Sequence, residues 1–235
     1  SLRQFIAFTH ASAFVPSAVG RVTNQNLHAL DFADYLIVTH PNFLSQANRL
    51  ADLHREDGMT VHVVTTNQVY NEFSAGKMDP VAIRYFAKMF YDRANGNEVD
   101  MPKYLCLFGD GTYDPKNRLP NNNNLVVTYQ SDNSENVVSS LTSDDFFGLL
   151  DENEGFAGSD GVDIGIGRII ATTSAHARTL VDKIEHYKRD GSSLFSNNAA
   201  NQSKFGDWRL WITHIADDED GGQFVIDHEG YVANY

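Results

Sequence analysis

The stretch YLCLFGDGTYDPK, residues 104–116, gathers the chain's single cysteine, a Gly-x-Gly, two aspartates four apart and a lysine. A thiol can attack a carbonyl, a Gly-x-Gly can open a phosphate loop, and paired carboxylates can hold a cation. Each chemistry needs particular neighbours. A catalytic thiol needs an electropositive, partly exposed position with a base beside it. Cys106 stands between Leu105 and Leu107, so its side chain is expected inside a buried strand. The dinucleotide fingerprint needs a third glycine for close helix packing. That place is Asp114 after Gly109 and Gly111, and Ile170 after Gly165 and Gly167, so neither run fits. A nucleophile elbow nearly forms around Ser159, but Ala157 takes its first glycine position and the context is a loop.

Asp110 and Asp114 follow the carboxyl end of an expected strand, where α/β folds place ligands. Two readings stay open for them. They line a ligand site, or, as the favoured reading, they shape the turn while Gly111 supplies an unusual backbone angle. A second acidic group, Asp217-Asp218-Glu219-Asp220, precedes Gly221. In an EF-hand register Asp218 and Asp220 take loop positions 3 and 5, but position 1 is Ala216 and position 12 is Asp227 rather than glutamate. The run is no EF-hand; a looser oxygen-ligand calcium site and a solvated acidic turn both remain open. The nine histidines show no H-E-x-x-H spacing, which argues against a zinc enzyme. His40, at the end of the first expected strand, is the most site-like of them. A receiver domain would need paired acids there, and the sequence reads THPN.

The elements that would position these groups alternate between strand and helix. Tyr35–Val38 reads as a buried strand. Phe43, Leu44, Ala47, Leu50, Ala51 and Leu53 then fall on one helical face, with Gly58 as the stop. TVHVVTT (60–66) is a β-branched strand. Asp79 and Pro80 form an N-cap and N1 pair for a helix over 79–96. KYLCLFG (103–109) is a third strand. Short connections between such elements imply a parallel sheet with helices on both faces. Residues 119–140 are expected as a polar surface hairpin or loop. FFGLLD (146–151) and DIGIGRI (163–169) are expected as strands. Residues 173–190 are expected as an amphipathic helix with Leu180, Val181, Ile184 and Tyr187 inward, and RLWITHI (209–215) opens another strand.

The 235 residues can bury a sizeable core, and 42% hydrophobic with 21% charged residues is an ordinary globular composition. A net charge of -13 would repel a phosphate backbone, so nucleic acid is a poor partner. No apolar run approaches the roughly 18 residues of a membrane span. No signal peptide is visible at the start. One cysteine excludes an internal disulfide, and suits a reduced cytoplasm and a bacterial envelope equally.

Taken in order, DYLIVTHPNFLSQANRLADLHREDGMTVHVV, YLCLFGDGTYDPK, SDDFFGLLD, DIGIGRI with a helix ending KIEHYKRD, and WITHIADDEDGG resemble the gingipain family of cysteine peptidases. The nearest branch is the type IX secretion sortase, the surface signal peptidase of Bacteroidetes, and the resemblance runs from about Asn24 to about Gly222. It implies an α/β fold, here the parallel-sheet, three-layer first subdomain of a caspase-like pair lying side by side. The expected divisions are an N-terminal extension (1–33), the first subdomain (34–190), a linker (191–207) and the start of a second, truncated subdomain (208–235).

In that family the catalytic histidine lies in a Gly-His-Gly and the cysteine follows a later strand, both in the second subdomain. This chain has no Gly-His-Gly. Cys106 therefore does not carry over as nucleophile, and the chain by itself is expected to be inactive. The resemblance also implies an acidic side chain near the catalytic histidine, matched by Asp218 or Glu219, and calcium nearby, matched by Asp217, Asp218 and Asp220. No other cofactor is expected. The implied partners are the protein's own catalytic subdomain, secreted cargo and the outer-membrane secretion machinery, and the implied location is the outer membrane or cell surface. Without its neighbour, the subdomain is expected to leave an apolar sheet edge or face open. The alternative is a non-catalytic α/β interaction or ligand-binding module on the same scaffold.

Overall fold

The computed structural model describes residues 6–15, 17–18, 20–116, 118–120, 122–131, 140–154, 161–188 and 222–234. Among the described residues four parallel strands form the central sheet: β1 (Tyr35–Thr39), β2 (Val61–Thr65), β3 (Tyr104–Phe108) and, later in the chain, β6 (Gly165–Ile169). Their order is β2-β1-β3-β6, with Tyr35 opposite both Val61 and Tyr104, and Tyr104 opposite Gly165. Leu36, Ile37 and Val38 are all fully buried. An uninterrupted apolar run suits a strand covered on both faces.

Helices α1 (Leu44–Arg55) and α4 (Ser174–Lys188) cover one face, where Ala47, Leu50, Ala177 and Val181 pack with Ile37, Cys106 and Phe108. The other face is covered by α2 (Thr66–Phe73) and α3 (Pro80–Ala94), together with a 3-10 turn over Asp145–Gly148. There Ile83, Phe86 and Phe90, spaced three and four apart, pack against Leu36, Leu105 and Leu107. Each such burial contributes about 1.5–3 kcal/mol. A fifth helix, α5, spans Gln223–Asn234. Among the described residues no helix is long and apolar enough to cross a membrane.

The punctuation follows the sequence closely in places. The Asp79 carboxylate accepts the Val81 N–H at 2.9 Å, Pro80 opens α3, and Asn95 ends it in the left-handed region at φ 47°. Gly58, at φ 86°, follows the end of α1.

Four expectations differ from the structure. Helix α2 stands where only the end of a strand was expected. Its start is fixed by a capping box, in which Thr65 Oγ1 accepts the Gln68 N–H and Gln68 Oε1 accepts the Thr65 N–H. Residues 146–151 are no strand: Phe146 and Phe147 lie in the 3-10 turn, and Arg84 and Lys88 of α3 donate to the carbonyls of Leu149 and Leu150. Of the 119–140 stretch, β4 (Tyr129–Gln130) pairs antiparallel with β5 (Thr142–Ser143) just beyond it, but Val126 and Val127 before β4 belong to the core. Tyr187 is half exposed at 50%, and Leu180 and Ile184 are only partly buried.

Candidate functional site

Helix α1 joins β1 to β2 over one face, whereas α2 and α3 join β2 to β3 over the other. The crevice outside the carboxyl ends of β1 and β3 is therefore the topological switch point, where α/β sheets bind ligands. His40 leaves β1 there, and Gly109 and Asp110 leave β3.

His40 caps the following turn, with Nδ1 accepting the Asn42 N–H at 3.3 Å, and its own N–H donates to the Phe108 carbonyl at 3.1 Å. Burial pushes its imidazole below the ordinary histidine range, favouring the neutral ring. Asp110 directs Oδ1 at the Gly111 N–H at 3.0 Å, while its carbonyl accepts the N–H groups of Leu125 and Val126. Asp114 is buried, and its Oδ2 accepts from the N–H of Leu119 at 2.7 Å and of Arg118. Both carboxylates thus bond backbone amides of their own loop.

The crevice is filled by the chain itself. A Cβ placed on Gly109 would meet Val126 Cγ2 at 2.7 Å, and one on Gly111 would meet Thr128 Cγ2 at 2.5 Å and the Val126 carbonyl at 2.8 Å. Residues 126–128 lie directly against the glycine turn. Arg168 of β6 holds them in place. Its guanidinium donates to the carbonyls of Gly109, Val126 and Val127 and twice to Asp144, so all five N–H groups have partners. Sequence reading passed over Arg168; an arginine in an otherwise Gly/Ile strand was the signal that could have marked it.

Cys106 lies at the middle of β3, 2% exposed, on the face beneath α1 and α4. Burial pushes its thiol up to about 12, against a smaller opposing effect of the hydrogen bond with the Tyr35 hydroxyl. His54 meets Tyr35 edge to face at 4.7 Å between centroids, and burial lowers its pKa, helped by Lys188. A thiol held neutral in the core is no nucleophile.

Sequence reading did not group Asp151, Glu154 and Asp163, whose carboxylate oxygens come within 4.8 Å of one another. Asp163 Oδ2 accepts the N–H groups of Leu150 and Asp151, and Tyr91 donates to Asp151 at 2.8 Å. The spacing of the first two was visible, but only the fold brings Asp163 alongside. The acidic residues Asp217, Asp218, Glu219 and Asp220 and the expected strand over 209–215 lie outside the described residues, as does all of 189–221.

At the far side of the described sheet, β6 and the flank of α4 line a mainly apolar groove of about 570 Å³, with Ile169, Ile170, Leu180, Ile184 and Tyr187 beside Arg168, His176 and Lys183. Ile170 is 58% exposed.

The sequence matches peptidase family C25 over residues 28–234. No curated protein matches it. Among solved structures, the crystal structure of dimeric latent PorU from Porphyromonas gingivalis is similar, with 35% identity over 89% of this chain and a TM-score of 0.69. The complex of the pro- and mature domains of RgpB from the same organism matches at 16% identity over 66% of this chain and 29% of that one, with a TM-score of 0.44. The chain spans 20% of the PorU chain it matches. Its parallel sheet between two helical layers is the expected α/β, caspase-like architecture. The chain belongs to peptidase family C25, the gingipain family, and is PorU-like within it.

Proposed function

We propose that this chain is the first α/β subdomain of a gingipain-like cysteine endopeptidase that serves as a type IX secretion signal peptidase and sortase, removing C-terminal sorting signals from exported cargo. The observation that carries this reading is the 35% identity to PorU over 89% of the chain. The catalytic histidine and cysteine lie in the second subdomain, past Tyr235. There a thiolate attacks the scissile carbonyl, and the histidine first takes the thiol proton and then returns it to the leaving amine. On this reading residues 1–33 are an extension, 34–190 the first subdomain, 191–207 a linker, and 208–235 the opening of the second subdomain. Asp218 or Glu219 orients the imidazole and stabilises its charged form. Asp217, Asp218 and Asp220 are the calcium candidates.

The partners follow from the same reading: the catalytic subdomain of the same polypeptide, the cargo, and the secretion machinery at the outer membrane or cell surface. A buried thiol and a self-filled switch crevice support a scaffold role for this part of the polypeptide. They equally favour the rival reading, a non-catalytic module on the same scaffold. Assay of the whole polypeptide on peptides bearing a C-terminal sorting signal separates the two. Cys106→Ser should leave cleavage intact, and serine at a strand-end cysteine of the second subdomain should abolish it. Loss of cleavage in a folded Cys106→Ser protein would overturn the assignment of the nucleophile. A polypeptide without any Gly-His-Gly and later cysteine would leave the binding module.

A further inference from the structure

We draw no further inference here: the strongest candidate, the apolar groove between α4 and the outer edge of β6, is an apolar face that no other described element covers, and nothing among the described residues shows what covers it.

Discussion

Arg168 and Asp144 meet through two parallel hydrogen bonds, Nε to Oδ2 at 2.8 Å and Nη2 to Oδ1 at 2.7 Å. The arginine side chain is only 10% exposed and the carboxylate 28%. Removing one member of such a pair leaves a poorly solvated charge, and here it also strips three carbonyls of a donor. Arg168→Met should therefore destabilise the fold by about 3 kcal/mol, read as a lower denaturation midpoint in urea. Arg168→Lys should recover little of this, because an ammonium cannot span both carboxylate oxygens. A midpoint unchanged in Arg168→Met would show that the clamp is decorative.

The self-filled crevice predicts opposite outcomes at two glycines. Gly111→Ala drives a methyl into Thr128 and the Val126 carbonyl, and overpacking of that kind costs about 1–3 kcal/mol. Gly167, two residues into β6, has open space where its Cβ would stand. Gly167→Ala should stabilise by about 0.5 kcal/mol through a less flexible unfolded chain. Equal effects at the two sites in thermal melts would mean that residues 126–128 do not press on the turn.

The strands and long helices were legible because their signals are local. Leu36–Val38 could only be a buried strand, and Asp79-Pro80 before Ile83, Phe86 and Phe90 could only start a helix facing the sheet. Helix α2 was missed although its capping box, Thr65 with Gln68, is local; the other misreadings share a cause in long-range packing. Val126 and Val127 follow a run of asparagines whose polarity suggests surface, yet Arg168, 42 and 41 residues further on, donates to their carbonyls. FFGLLD reads as a strand by composition, but Arg84 and Lys88 of α3 take its carbonyls and curl it into a turn. Tyr187 falls in helical register with Ile184, yet among the described residues no strand lies beyond β6 to cover it. The two turn aspartates are spent on backbone amides, which the short spacing from Asp110 to Asp114 already hinted. The acidic trio of Asp151, Glu154 and Asp163 needed the fold, since the chain must return beside the turn, just before β6, to supply its third member.

Cys106 offers a direct probe of whether β3 ever opens. With the thiol buried and its pKa raised to about 12, a thiol-reactive dye should label it only through unfolding of the sheet. Labelling should track the fraction unfolded across a urea series. Rapid stoichiometric labelling in native buffer would mean that the strand is exposed, contrary to the packing of α1 and α4.

The groove beside β6 carries a solubility cost. Ile170 and Tyr187 are 58% and 50% exposed, and a contiguous apolar patch favours association. Ile170→Lys combined with Tyr187→Glu should reduce concentration-dependent light scattering of this chain without lowering its melting temperature. A fall in melting temperature, with scattering unchanged, would mean that these side chains contribute to the fold rather than to association.

The segment leading into β1 is held by Arg93, which donates to the His28 and Leu30 carbonyls, and by the Glu72 carboxylate. Glu72 of α2 accepts the Leu27 N–H at 2.7 Å and Gln25 Nε2 at 2.9 Å, and it pairs with His28 Nδ1 at 2.7 Å. Burial alone would raise its pKa, but these donors together outweigh burial and hold it below the ordinary value of 4.5. A depressed carboxyl pKa stabilises the fold fully above the unfolded value, and that contribution disappears as pH falls through the native one. Asp34, lowered chiefly by its hydrogen bond to Lys103 and then by the Thr60 N–H, acts with the same sign. Glu72→Gln should therefore be less stable than the wild-type chain at neutral pH, and the gap should close as pH drops below about 4.5. Urea midpoints measured for both proteins across that range provide the check. A gap that stays constant into acid would assign the loss to changed packing, and would remove the charge on Glu72 as the cause.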